Sequence, residues 1–274
     1  MVSQEVILET IENIASSKLS NGFDLKCSRN KIKGTGIGIG FNKEVRKALD
    51  DFRTETCGDT PFKTEKLCVI NNNGEVVYTK NGTSNQVKDN EDKIYKLREK
   101  YGMLHATHNH PSTENDTLPY GIIPTMLSEA DAKQLLRVRA FDDGRFTPLK
   151  FDYFYKSITA ESPNGSRVTL MKNNDFNPSN EEDYMIAYNH LNTLWNDYSQ
   201  KFITTKGQFV AYYRSEGSDG WFSEKYGLKG KSEKECIEII DNAVQKEIGS
   251  FEDELIPIRQ EFNKCNIELS VEWK

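Results

Sequence analysis

The sequence has no apolar run approaching the length that spans a bilayer, and its opening, MVSQEVILETIENIASS, carries acids where a secretory signal would carry bases. Neither export nor a membrane partner is expected, and a cytoplasmic location is. Cysteine is scarce: five residues, at 27, 57, 68, 236 and 265, form no C-x-x-C pair. That usage fits reduced thiols and argues against a disulfide framework or a thiolate zinc cluster. A basic excess is missing too, since 36 Lys and Arg face 42 Asp and Glu for a net charge of -6. Nucleic acid is therefore an unfavourable main partner, and a protein is an easier one. The glycine run GTGIGIG at 34–40 offers no G-x-G-x-x-G register and no following Gly-Lys-Ser/Thr, so a phosphate cradle lacks its parts.

What is present is a soluble, polar-surfaced chain of 274 residues, 28% charged and 11% aromatic, long enough for a full core. Apolar spacing predicts an amphipathic helix over 3–17 and a helix capped by Asn42 that ends before Cys57-Gly58. The runs KLCVI and EVVYT flank NNNG, where Asn73-Gly74 suits the positive backbone angles of a tight hairpin. A helix over 91–101 stopped by Gly102, a buried strand MLHATHNH, a helix from Ser128 to about Arg139, and the hairpin FDYFYKSITAE/SRVTLMK follow.

The expected fold is α+β: a helical segment over 1–59, a mixed-sheet domain over 60–172, and a mainly helical extension over 173–274. In the extension we expect a helix over 181–200, a short aromatic strand QFVAYY, and a long helical stripe from Ile237 to Phe262. Gly249 and Pro257 should bend or split that stripe. Its apolar face could pack on its own domain or join two copies in a homodimer.

Only four histidines occur, and three stand at 105, 108 and 110. Residues separated by one lie on the same side of an extended strand, so His108 and His110 can aim both imidazoles at one point. Zinc suits imidazole, and a catalytic zinc takes three protein ligands with one open position. Asp131, at the third position of a helix capped by Ser128, is the candidate third ligand.

These residues resemble the signature of the JAMM (MPN+, JAB) zinc metalloproteases: an upstream Glu, then H-x-H-P, a spacer, and S-x-x-D. The matches are His108, His110, Pro111, Ser128 and Asp131, with Glu65 as the separated acid, and HNHPS is closest to bacterial and phage-associated branches. The likeness spans about 110 residues and leaves both ends unexplained. It implies a cytidine-deaminase-like mixed sheet, a zinc ion, Glu65 as general base and Ser128 as oxyanion donor. The implied reaction is hydrolysis of a peptide or isopeptide bond, with a ubiquitin-like conjugate among the implied substrates. The chain departs from the family in its spacer, where the sixteen residues Ser112 to Leu127 include an insertion carrying LPYGII. Either that insertion is a lid or substrate loop, or Ser128 and Asp131 do not return to the metal.

Each reading has a bland rival. Paired histidines can be core residues, Ser128 can be only a helix cap, and Glu55 and Glu75 compete with Glu65. His105 and His190 read as structural. Tyr212, Tyr213, Trp221, Phe222 and Tyr226 read as packing rather than base-stacking residues. At the level of function the rivals are a phage or mobile-element assembly protein that keeps the fold for binding, and a DNA-repair accessory.

Overall fold

The structure, a computed structural model, describes residues 40–57, 63–84, 86–111, 125–140, 151–163, 165–217 and 219–273. The expected helix over 3–17, almost all of the glycine run, and residues 112–124 of the insertion lie outside the described residues. The chain divides into two compact units: one comprises residues 31–113, 124–192 and 255–274, the other 1–30, 114–123 and 193–254. Among the described residues no helix is long and apolar enough to cross a membrane.

The first unit is mixed α+β, built on a six-stranded sheet of order β2-β1-β3-β6-β7-β8. Its strands are β1 (Lys66–Ile70), β2 (Val76–Asn81), β3 (Leu104–Asn109), β6 (Tyr155–Glu161), β7 (Arg167–Lys172) and β8 (Ile267–Glu272). A separate ribbon pairs β4 (Val138–Ala140) with β5 (Phe151–Tyr153). All pairings in the sheet are antiparallel except β3 with β6. That exception needs a crossover, and the crossover contains helix α3 (Glu129–Leu135), which packs on β6.

Helix α1 (Lys43–Thr56) begins where the Asn42 side chain accepts the Val45 amide, and it buries Val45, Ala48, Leu49 and Phe52 against Cys68 and Ile70. The expected β1–β2 hairpin forms around NNNG, but of Asn73-Gly74 only the glycine supplies a positive φ. Ile70 pairs with Val76, and within 71–75 only Gly74 takes a positive φ, +80°. Asn71 organises this loop instead, its side-chain oxygen accepting the amides of Asn73 and Glu75. Gly74 is required twice over, because a Cβ there would sit 2.5 Å from the Glu44 carbonyl oxygen. Helix α2 (Glu91–Tyr101) runs from the Asn90 cap to Gly102 (φ +80°), as the pattern predicted.

Two buried polar arrangements tie the sheet together. Arg167, fully buried on β7, donates from Nε and Nη2 to Glu161 Oε1 (2.9 and 2.6 Å), from Nη1 to Asp50 and from Nη2 to the Leu49 carbonyl. His105 places Nδ1 2.9 Å from Ser157 Oγ and Nε2 3.0 Å from Asn72 Oδ1, and burial pushes its pKa down to about 4. The structural reading of His105 is thus filled by named partners.

The last strand, β8, arrives from beyond residue 173 and pairs along the whole of β7. It is preceded by α4 (Glu181–Glu216), α5 (Trp221–Tyr226), α6 (Glu233–Ile248) and α7 (Phe251–Lys264). The helix expected over 181–200 continues to Glu216, so QFVAYY is helical and not a strand. Phe202, Lys206 and Val210 are buried at intervals of four, the period of one helix face, and Phe209 packs on Phe222 and Tyr226. The stripe splits at Gly249 (φ +90°), while Pro257 lies inside α7. Ile237, Ile240, Val244, Phe251, Leu255, Ile258 and Phe262 are all buried within this chain. In the second unit Lys206 Nζ lies 2.6 Å from Asp241 Oδ1 with both side chains buried.

Two stability predictions follow from the buried groups. Arg167→Ala strands the Glu161 carboxylate and should cost about 3–5 kcal/mol in urea unfolding, with Glu161→Leu/Arg167→Met recovering most of it. His105 is held neutral when folded, whereas the unfolded chain protonates it below about pH 6.5. Its contribution is fully present above that pH and is lost as pH falls towards 4, by about 3 kcal/mol in all. The acid slope of melting temperature should therefore be shallower in His105→Gln.

Candidate metal centre

Leu67 on β1 is paired with His108 on β3, so Glu65, two residues upstream of Leu67, shares the sheet face that carries His108. His108 is buried at the end of a strand that is buried throughout. At the next residue but one the chain leaves the strand, and the His110 amide donates to the Glu161 carbonyl at 2.9 Å, which fixes the second imidazole relative to β6. The two rings lie 4.9 Å apart between centroids, with Nε2 to Nε2 at 2.9 Å.

Asp131 reaches the same point. Its Oδ2 lies 3.4 Å from His108 Nε2, and one ligand-type atom from each of His108, His110 and Asp131 falls within 4.8 Å of the others. Among the described residues this is the one such cluster. Three bonds return the chain to it after the insertion: Thr125 N donates to Ser162 Oγ (2.8 Å), Tyr188 OH to the Leu127 carbonyl (3.0 Å), and Tyr184 OH to the Ala132 carbonyl (2.9 Å). Ser162, Tyr184 and Tyr188 were not singled out in the sequence. Only the spacing of Tyr184 and Tyr188, four apart on one helix face, could have hinted at them.

Ser128 caps α3 in a reciprocal box with Asp131. Its backbone N–H and its hydroxyl both donate to Asp131 Oδ2 (2.8 and 2.7 Å), and Asp131 N donates back to Ser128 Oγ (3.2 Å). The hydroxyl proton is thus committed to Asp131, so in this arrangement Ser128 orients the carboxylate, and an oxyanion role would require the hydroxyl to turn away. The helix runs only to Leu135, short of the expected Arg139, because the chain enters β4 at Val138.

Glu65 is buried beside these groups. Its amide donates to the Thr83 carbonyl (2.7 Å), and its carbonyl accepts from Gly82 (2.8 Å). Burial raises the pKa of its carboxyl, His108 opposes the rise, Asp131 adds to it, and the Val87 amide opposes it. Its rivals are engaged elsewhere: Glu55 pairs with Lys66, and Glu75 accepts from the Asn71 side chain.

Burial opposes a charge on His108, but Asp131, Glu65 and Glu161 together lift its pKa above the ordinary value. Burial and then the neighbouring His108 push His110 down to about 3. Burial would raise Asp131, yet His108, Ser128 and His110 hold it well below the usual carboxylate range. One neutral imidazole, one imidazole and one carboxylate thus converge on a common point. Two ring nitrogens and a carboxylate oxygen are a donor set that could hold a metal ion: His108 Nε2 lies 2.9 Å from His110 Nε2 and 3.4 Å from Asp131 Oδ2, with all three groups within 4.8 Å of one another. Compared with family models, with curated proteins and with solved structures, the chain matches none.

Removing the cap tests this construction. Ser128→Ala should lower the stability of the metal-free protein by about 1 kcal/mol in urea unfolding. If the cluster holds zinc, the variant should also bind it about 10-fold more weakly in a chelator competition, because Asp131 keeps the backbone N–H of residue 128 but loses the hydroxyl donor.

Proposed function

We propose that the chain is a zinc-dependent amide hydrolase of the JAMM type that acts on a protein substrate. One observation carries the reading: Asp131 converges on His108 and His110 from across the insertion, with Glu65 buried on the same face of the neighbouring strand. His108, His110 and Asp131 would hold the ion, leaving one position of a tetrahedral site open. Zinc bound there supplies an acidified water and polarises the scissile carbonyl.

The remaining work belongs to the chain's own groups. Glu65, with its proton affinity raised by burial, takes a proton from the attacking water and later delivers it to the nitrogen of the departing amine. That transfer leaves an acid and a neutral amine as products. Ser128 keeps Asp131 aimed, and the strand β3 keeps the two imidazoles in register. The net negative charge of the chain favours a neutral or cationic protein as substrate. A ubiquitin-like conjugate is the substrate class that the resemblance offers.

Elemental analysis tests this directly. The purified protein should carry one zinc per chain, and the His108→Ala/His110→Ala variant should carry none; retention by that variant at the wild-type level would remove the assignment. Glu65→Gln should keep the metal and lose hydrolysis of an isopeptide-linked ubiquitin-like conjugate by at least about 100-fold, as expected for loss of a general base. An active Glu65→Gln protein would pass that role to another acid.

A further inference from the structure

We infer that Asn109, the residue between the two histidines, is a positioning residue that fixes Glu65 against them; the inference rests on the reading of this cluster as a metal centre. Its side chain is buried, and both halves of its carboxamide are used on the chain either side of Glu65. Oδ1 accepts the Lys66 amide at 2.7 Å, and Nδ2 donates to the Thr64 carbonyl at 3.2 Å.

Strand geometry explains why a side chain is needed there. In the β1–β3 ladder Leu67 faces His108, so continuation would set Glu65 opposite His110. The ladder stops at Leu67 and His108, because Pro111, which continuation would set opposite Thr64, has no N–H to give the Thr64 carbonyl. The peptide groups flanking Glu65 would then lose their partners on the β3 side. The Asn109 carboxamide, which has one acceptor and one donor as a peptide does, replaces them. On the opposite edge the Glu65 main chain is already bonded to Gly82 and Thr83. Glu65 is therefore clamped on both edges, and one clamp springs from the segment that bears both imidazoles.

A buried asparagine needs partners in any protein. What assigns this one to positioning is that both partners flank the same carboxylate-bearing residue. Aspartate lacks the donor, serine is too short to bridge two peptide groups, and alanine offers neither bond. A base misplaced by about 1 Å loses most of its effect, so a clamp that moves with the ligands preserves the geometry that matters.

The test uses the full-length chain loaded with Co2+ and the visible ligand-field spectrum at one fixed pH, which reports on the surroundings of the ion without any substrate. Asn109→Ala should retain one Co2+ per chain and shift the spectrum in the same direction as Glu65→Gln. The double variant should show no further shift, because both changes remove the same contact. Asn109→Asp, which keeps the acceptor for Lys66, should fall between wild type and Asn109→Ala, and it carries the test if the alanine variant does not fold. An Asn109→Ala spectrum that superimposes on wild type while that of Glu65→Gln differs overturns the inference, as do shifts that add in the double variant. Unchanged spectra in both single variants overturn it while leaving the metal centre in place. Failure of the wild-type chain to bind Co2+ removes the metal centre and this role together.

Discussion

The parallel pairing of β3 with β6 is the constraint on which the rest depends. Two parallel neighbours cannot be joined by a tight turn, so the chain must leave the end of β3, travel over the sheet, and re-enter beside it. The crossover carries α3, and α3 carries Asp131. His108 and His110 sit at the end where β3 is left, so a helix packed on β6 can return its first turn to them. β3 is also buried on both faces, which keeps water from the His108 ring and gives each nearby charge more weight than it would have at a surface.

Electrostatics at the cluster follow from that burial. Three groups that would each titrate independently in water are pushed apart: Asp131 towards the anion, His110 towards the neutral ring, and His108 towards the cation. A divalent ion held there would offer all three the same resolution, since it would take two neutral rings and an anion at once. The capping box contributes by holding the carboxylate through bonds that a helix start would make in any case. Capping and orientation of the Asp131 carboxylate are thus one arrangement rather than competing roles.

Much of this was legible because it is local. The Asn42 and Asn90 caps, the Gly102 stop, the same-side spacing of His108 and His110, and the Ser128 helix start all depend on residues within one turn or one strand repeat. Where tertiary contacts overrode local preference, the reading failed. QFVAYY has strand-like composition, but the four-residue spacing of Phe202, Lys206 and Val210 and the packing of Phe209 on α5 keep it helical. Asn73-Gly74 read as the source of the hairpin's positive angles, yet only Gly74 takes one, and the bonds of Asn71 hold the rest of the loop. The apolar stripe of α6 and α7 left its partner open, and burial inside the chain shows that it packs inward.

By itself the sequence determined which residues have the chemistry to ligate, cap or accept a proton, because that is set by side-chain type and by spacing of a few residues. It also determined the mixed α+β class, through the alternation of strand and helix periods. Only the tertiary structure decided that Asp131 comes back to the histidines across twenty intervening residues, that Glu65 rather than Glu55 or Glu75 shares their face, and that β8 completes the sheet from the far end of the chain. The physical reason is that strand register and crossover packing join residues far apart in the chain, and such contacts leave no period in the sequence.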